Sequence, residues 1–443
     1  MENTNCLKEF TRYVSANILG MLGLSFYILA DTFFISKGLG AEGLAALNLA
    51  IPVYSLIHGS GLMLGMGGAT KFSIYKSLGE KEKPGEAFTH SAAMAGMLAA
   101  FFIASGVFLS KPLTAVLGAD EAVFSMTHSY LKTLLLFSPA FLMNNILLCF
   151  VRNDGNPRLS MLAMLGGSFS NVILDYIFIF PFGMGMFGAV LATAMAPVIS
   201  MTILSRHWLK PDKGFGLRKI RPEKNMAFGI LSLGFPSLIT ELSSGIVIIV
   251  FNLIILSLSG NVGIAAYGVV ANLSLVMVSV YNGIAQGIQP LLSSAYGVRN
   301  RDAIRRIEGY AIRTMLVLSA SIYAAVYFFA DPITAVFNSE GNASLQLIAS
   351  GGLKLYFTAA AFVGCNIILS VYFTSTEEAL PAHIISLLRG LFLIVPMAFF
   401  LSSLWGITGV WLAFPVTEGL VAVLGIGIKR LGPMAGQKRD ISL

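Results

Sequence analysis

The sequence predicts an all-α integral membrane protein with twelve transmembrane helices, arranged as two pseudo-symmetric six-helix bundles. Hydrophobic residues make up 56 % of the 443-residue chain and charged residues only 12 %, whereas charged residues are about a quarter of an average soluble domain. Apolar runs of roughly twenty residues, the length that crosses a bilayer, recur along the whole chain. These runs begin near Tyr13, Leu44, Phe88, Tyr130, Leu159, Phe187, Ile230, Ile264, Tyr310, Leu347, Ala382 and Thr408.

The two bundles are predicted from an internal repeat with an offset of about 220 residues. The segment Lys111–Val116 recurs as Asp331–Val336, and the segment that starts at Gly185 recurs from Gly406. Each copy contains six apolar runs, an even number, so both copies enter the membrane from the same side and form a parallel repeat. Transporters that work by alternating access are often built in this way, with the substrate cavity between the repeats.

The repeat also sets the predicted domain bounds. Residues 1–205 are expected to form the N-terminal bundle, which carries the cation site, and residues 226–430 the C-terminal bundle. A basic cytoplasmic linker, 206–225, joins them, and a cytoplasmic tail, 431–443, follows.

The positive charge of the chain, a formal +7, has a topological pattern. Alternate loops carry 24 of the 29 basic residues, among them Arg152 and Arg158, while the opposite loops carry only Lys37 and Lys111. Because basic residues favour the cytoplasmic side, both termini are predicted to be cytoplasmic, in the plasma membrane of a prokaryote. No nucleic-acid partner is expected, and the bilayer itself is the surrounding partner.

A carboxylate inside an apolar run marks the candidate ion site. Asp175 lies in the stretch 166–193, and a charged group at that depth is costly unless it faces a polar cavity. Asn171 stands one helical turn earlier on the same face. Thr193 follows the turn near Met184 at a depth matching Asp175. These oxygen atoms suit either a proton or Na⁺, and the sequence leaves both open.

Other polar residues within the apolar runs have two interpretations each. Glu241 and Arg389 either line a substrate cavity or pair with each other, and Arg389 could also extend towards the cytoplasmic surface. Asn282, Gln286 and Gln289 share one stripe of a helix and either line the cavity or bridge helices.

The cysteines and histidines argue against an enzyme or a metalloprotein. Cys6, Cys149 and Cys365 are far apart, and no metal-ligand spacing or catalytic cluster occurs, so no cofactor is expected. A multispan membrane enzyme is therefore disfavoured, and a channel fits two asymmetric bundles less well than a transporter.

The chain resembles the multidrug and toxic compound extrusion (MATE) family over essentially its whole length. The resemblance is carried by the segment Ala30–Phe34, by the Asn-x3-Asp spacing of Asn171 and Asp175, by Thr193, and by the segment Gly283–Leu292.

The resemblance implies functional residues. It implies a cation site made by Asp31, Asn171, Asp175 and Thr193, with possible Na⁺ binding as the only metal role. It also implies that Tyr130 and Asn145 of the fourth span line the cavity. Two features depart from the family: the first span lacks the proline found in some members, and Glu241 comes five residues after Pro236 rather than about eight.

The expected function is secondary active multidrug efflux, in which H⁺ or Na⁺ antiport drives export of amphipathic, often cationic organic compounds. One chain holds both halves, so a monomer is expected. The alternative is a flippase for a lipid-linked precursor, which needs basic residues in the cavity to hold a phosphate-bearing head group. Arg389 is the only deep cation, which favours the exporter.

Overall fold

The computed structural model describes residues 3–219, 221–338 and 341–431, and the regular elements in these ranges are all helical. The α-helices are α1 (Asn3–Ser77), α2 (Lys83–Ala104), α3 (Ser110–Val116), α4 (Phe124–Leu136), α5 (Ser138–Asn153), α6 (Pro157–Ile179), α7 (Gly185–Leu204), α8 (Lys224–Gly297), α9 (Arg301–Phe337), α10 (Ala343–Tyr356), α11 (Ala360–Ser375), α12 (Ala379–Leu387) and α13 (Ile394–Leu431). Short π-helical turns join α2 to α3 and α12 to α13, and 3₁₀ turns follow α7 and α10. The predicted tail lies outside the described residues, apart from Leu431.

The prediction of an all-helical membrane protein is confirmed. Eight helical stretches of the described chain are long and apolar enough to cross a bilayer. A ninth is obtained if α4 and α5, which meet at an angle of 51°, are counted as one broken span. Stretches of 73 and 74 residues are far longer than one span needs, and each contains a break in its backbone.

The breaks in α1, α8 and α13 are at glycines with left-handed φ angles. Gly40 in α1 has φ 69° and ψ −157°, and Gly260 in α8 has φ 61° and ψ −155°. Gly406 in α13 has φ 57°, and Gly185, which begins α7, has φ 59°. Only glycine adopts such angles without strain. Gly40 and Gly260 are 220 positions apart and Gly185 and Gly406 are 221 apart, so the breaks recur at the offset of the sequence repeat.

The helices group into two compact units. The N-terminal unit comprises Ser15–Leu242 and Ser293–Val298. The C-terminal unit comprises Ser243–Leu292, the described part of the chain from Arg299 onwards, and the N-terminal segment up to Val14. The predicted domain bounds at the linker stay a prediction.

Within the N-terminal unit, α1 and α8 meet at two glycines. A Cβ atom on Gly67 would lie 2.9 Å from the carbonyl carbon of Ile230 and 3.0 Å from the backbone nitrogen of Gly234. A Cβ atom on Gly234 would lie 2.9 Å from Cα of Met63. Small residues let two membrane helices bring their backbones together, where dispersion contacts stabilise the pair.

Arg152 corrects one part of the charge analysis, which counted it as a loop residue. Its side chain is fully buried in the last turn of α5. Nη1 donates to Oδ1 of Asn17 at 2.9 Å, and Nη2 lies 3.4 Å from the sulfur of Cys149. A guanidinium that donates to a buried amide is part of the helix packing, and a count of basic residues cannot distinguish it from a loop cation.

The segment after α7 is anchored to the N-terminal unit by Phe215. Its buried ring lies 4.8 Å from Phe88, 5.4 Å from Phe150 and 5.8 Å from Phe72, measured between ring centroids. The ring of His207 stacks on Phe215 at 5.3 Å. A buried aromatic side chain removes a large apolar area from solvent and so stabilises the packing of this segment. The first part of the predicted linker is therefore packed against the helices.

The second anchor is the Asp154 cluster, which consists of Asp154, Lys76, His207 and Gly214. One carboxylate oxygen of Asp154 accepts from Nε2 of His207 and from the backbone N–H of Gly214, both at 2.8 Å. The other oxygen is paired with Lys76. Burial of Asp154 raises the pKa of its carboxyl group, but the hydrogen bonds from His207, Lys76 and Gly214 outweigh burial and hold this pKa below its ordinary value of 3.8.

Candidate cation-binding site

Two carboxyl groups lie together inside the N-terminal unit. Asp31 of α1 is 7 % exposed and Asp175 of α6 is fully buried. Their side chains are in hydrogen-bond contact with each other, while Oδ1 of each has no hydrogen-bond partner among the residues that the structure describes. The resemblance to the MATE family implied both residues for one site, and the structure brings them into contact.

Asn171 and Thr193 complete the contacts around Asp175. With the Asn171 amide oriented so that both of its ends are satisfied, its nitrogen donates to Oδ2 of Asp175 at 3.0 Å and its oxygen accepts from the backbone N–H of Thr193 at 3.2 Å. The short turn between α6 and α7 makes this possible, since the N–H of Met184 donates to the carbonyl of Phe178 at 2.9 Å and reverses the chain. These contacts bring Thr193 next to the face of α6 that carries Asn171 and Asp175.

Tyr130 of α4 also reaches this group. Its hydroxyl is hydrogen-bonded to the side chain of Thr193 and interacts electrostatically with Asp31 and Asp175. Thr193 donates its own hydroxyl proton to the carbonyl of Ala189 at 3.1 Å, so Tyr130 is the donor in their shared bond.

Three polar side chains in α1 were missed by the sequence reasoning. Tyr27 lies one turn before Asp31, and its hydroxyl is 3.0 Å from that of Tyr54. Tyr54 stacks on His58, one turn further on, with ring centroids 5.5 Å apart. The helical spacing of four residues in both pairs was a signal that could have drawn attention to them.

Asn145 and Glu241, two predicted cavity residues, lie beside His58. The amide nitrogen of Asn145 is 3.2 Å from Nδ1 of His58 and 3.2 Å from its carbonyl oxygen. Glu241 of α8 is half-buried, contacts α1 at Gly59, and interacts electrostatically with His58 and Tyr54.

The C-terminal unit contains the other predicted cavity residues. Arg389 donates from Nε and Nη2 to Oε1 of Glu418, at 3.1 and 2.9 Å. Asn366 donates to the other oxygen, Oε2, at 2.6 Å. The alternative in which Arg389 pairs with Glu241 is thus corrected, because Glu418 occupies its guanidinium. Glu418 was not singled out from the sequence, although a carboxylate within an apolar run was the signal used for Asp175.

The amides of α8 also belong to the C-terminal unit. Gln289 is fully buried, whereas Asn282 and Gln286 are half-buried. The residues predicted to form the cation site around Asp175 all lie in the N-terminal unit.

The acidic pair can hold a proton or a small cation. A hydrogen bond between two carboxyl groups requires a proton on one of them, because two carboxylates side by side repel each other. The two Oδ1 atoms are hard oxygen donors, which suit small cations. Loading and unloading changes the charge of a buried site, and such a change favours one helix packing over another.

Fold and site together define a polytopic helical membrane protein with an acidic site among its spanning helices. The sequence model of the MatE family matches residues 17–177 and 236–400. The chain belongs to the MatE family, which confirms the resemblance found in the sequence.

Relatives and solved structures agree with this assignment. The chain is 26 % identical over 426 residues to the multidrug export protein MepA of Staphylococcus saprophyticus, covering 95 % of this chain and 93 % of the relative. MepA proteins of Staphylococcus aureus match to the same extent. An outward-facing multidrug resistance MATE transporter of the MOP superfamily superimposes with a TM-score of 0.90 at 24 % identity, covering 96 % of this chain and 95 % of that one. A MOP superfamily transporter from Pyrococcus furiosus superimposes with a TM-score of 0.88, at the same identity and coverage.

Proposed function

We propose that the protein is a secondary active exporter that couples inward movement of a cation, H⁺ or Na⁺, to outward movement of amphipathic, often cationic organic compounds. The observation that carries this proposal is the contact between Asp31 and Asp175 inside the N-terminal unit. The relatives named multidrug export proteins support the substrate class. They are transporters, and we propose no catalytic role.

The coupling follows from the charge of the acidic pair. With a cation bound, the charge of the pair is partly neutralised and the pair can be buried away from water. Without the cation, repulsion between Asp31 and Asp175 favours a packing that separates or hydrates them. Asn171 links this change to α7 through Thr193, and Tyr130 links it to α4. Alternating access requires only that substrate favours the unloaded packing.

We further propose twelve spans in two parallel repeats of six, acting as a monomer in a prokaryotic plasma membrane with both termini in the cytoplasm. Counting each side of the breaks at Gly40, Gly260 and Gly406 as one span, and α4 with α5 as one, yields twelve from the eight long stretches. The recurrence of glycine breaks at the repeat offset supports this count.

The pairing of Arg389 disfavours a flippase for lipid-linked precursors. A phosphate-bearing head group would need a free guanidinium, and two donors of Arg389 are already directed at Glu418. Binding a phosphate there would leave a buried carboxylate without its counter-ion, which is costly.

The test is efflux of a fluorescent lipophilic cation such as ethidium from proteoliposomes, with proton and sodium gradients imposed separately. Wild type should respond to at least one gradient and Asp175→Asn to neither. Asp212→Asn is the matched control, because Asp212 is exposed and is not one of the residues in contact with the acidic pair. Wild type that exports under neither gradient, or Asp175→Asn with full activity, would refute the proposal.

A further inference from the structure

A second group of ionisable side chains adjoins the acidic pair in the N-terminal unit. The hydroxyls of Tyr27 and Tyr54 are 3.0 Å apart, and each tyrosine lies one turn from an ionisable residue, Asp31 and His58 respectively. Tyr54 interacts electrostatically with both Asp31 and Glu241. Tyr54 therefore lies close enough to Asp31 and to Glu241 to interact with the charge of each.

Asn145 sets the protonation pattern of His58. The amide nitrogen of Asn145 must be a donor to the carbonyl oxygen of His58, so Nδ1 of His58, at the same distance of 3.2 Å, is an acceptor. In the neutral ring the proton is then on Nε2. A second proton on Nδ1 would face the Asn145 donor and break this contact, because two donors cannot share a hydrogen bond.

The same asparagine lies where α5 crosses α1. A Cβ atom on Gly61 would be 2.9 Å from Nδ2 of Asn145, and one on Gly65 would be 2.9 Å from its carbonyl oxygen. The glycines let the helices approach until the amide touches the α1 backbone. A rearranged Asn145 amide therefore has no room to turn unless the two helices shift.

Glu241 is the charged side chain that stabilises a protonated His58 ring. Its Cβ lies 3.0 Å from where a Cβ on Gly59 would stand, so α8 closely approaches the turn of α1 that carries His58. Glu241 is half-buried and is the charged group that acts on His58, while Asp31 and Glu241 both act on Tyr54 and Asp31 acts on Tyr130.

We propose that His58 and Glu241 form a second proton-binding pair of the transport cycle, linked to Asp31 and Asp175 through Tyr54. Asn145, at the α1–α5 crossing, changes its contact with His58 when this pair binds a proton. The inference rests on the proposed function with the proton as coupling ion. Loading His58 breaks the Asn145 contact and loosens the crossing, while Glu241 stabilises the charged ring. The cycle then has two interacting proton sites within one unit.

The first test measures proton-driven ethidium efflux as a function of internal pH. Wild type should show two titration steps, and His58→Gln and Glu241→Gln should each lose the same step and retain the other. Glu241→Asp should restore it in part, and the double variant should be no worse than either single one. His128→Gln and Glu42→Gln are the matched controls and should keep the wild-type profile.

The second test does not depend on transport. The His58 ring signal in histidine-labelled protein, assigned by its loss in His58→Gln, should shift its titration midpoint by more than about half a pH unit in Glu241→Gln and stay unchanged in Glu42→Gln. An unchanged His58 titration in Glu241→Gln would overturn the inference. An efflux rate that falls equally at every pH in His58→Gln and Glu241→Gln would also overturn it, because it would show a structural role. If wild type exports under a sodium gradient but not under a proton gradient, the proposed function stands and this inference is overturned. If wild type exports under neither gradient, the proposed function fails, and the titration alone decides whether the two residues form a pair.

Discussion

Arg389 directs two donors at a single oxygen of Glu418, and both side chains lie largely out of solvent, with exposures of 11 and 2 %. Breaking a buried pair by removing one partner leaves an uncompensated charge. Arg389→Met should therefore destabilise the protein by about 3–5 kcal/mol, whereas Arg389→Met combined with Glu418→Leu should be close to wild type. Thermal unfolding in detergent measures the difference. If the single variant is as stable as the double one, the pair is not held as described.

The hydroxyl of Tyr130 should matter through Thr193. Thr193→Val removes the acceptor of Tyr130 and leaves a buried hydroxyl without its partner, at a cost of about 1–3 kcal/mol. The efflux rate should fall roughly tenfold or more if this contact is made only in the loaded state. Tyr130→Phe combined with Thr193→Val should restore part of the rate, because no donor is left unpaired. Thr193→Ser, which keeps the acceptor, is the control, and strictly additive losses would contradict the contact.

The approach of α1 to α8 should tolerate no added methyl group. Gly67→Ala and Gly234→Ala should each lower stability by about 1–3 kcal/mol, because the new Cβ would meet backbone atoms that cannot move aside. Gly96 of α2 has open space around it, so Gly96→Ala should be neutral or stabilising by up to about 1 kcal/mol. Thermal unfolding or the yield of monodisperse protein separates the two outcomes. Equal effects at all three glycines would refute the close approach.

The Asp154 cluster should open only in acid. The pKa of Asp154 is held below 3.8, so its contacts contribute their full stability above the ordinary carboxyl range and lose it as pH falls through the depressed value. Trp208, whose ring centroid lies 5.7 Å from that of Phe215, reports the position of the segment. Its emission should stay constant from neutral pH down to about 4 and change only below that.

The measurement uses a background with Trp405→Phe and Trp411→Phe, which leaves Trp208 as the single tryptophan. Asp154→Asn in this background should show the acid-state emission already at neutral pH, and Asp212→Asn should behave as the parent. An emission that changes near neutral pH in the parent would mean that a group other than Asp154 controls the segment.

The local part of the candidate site could be predicted because helical geometry is regular. A spacing of four residues places Asn171 and Asp175 on one face, and the cost of burying a carboxylate in the membrane marks the position. The proximity of Asp31 to Asp175 required the family resemblance, since the two residues are 144 positions apart in the chain and their contact depends on how α1 and α6 pack together.

Other features depend on packing that no short spacing encodes. Arg152 reads as a loop cation until its guanidinium is seen to donate to Asn17, and Asp154 acquires its partner His207 from 53 residues further along. Glu418 could have been found, because it meets the same criterion of a charge within an apolar run, but its partner Arg389 could not have been identified without the structure.

The paired glycine breaks bear on how such a chain evolves. Gly40 and Gly260 have nearly the same backbone angles, as two copies of one ancestral turn would. After a gene is duplicated, side chains in each copy are free to diverge, which is how one copy could keep Asp31 while the other has an apolar residue near Phe251. A backbone angle that only glycine tolerates is not free in this way. Substitutions at these turns would therefore be selected against in both copies. The turns keep the backbone shape of the ancestral half even where the functional side chains of the two copies have diverged.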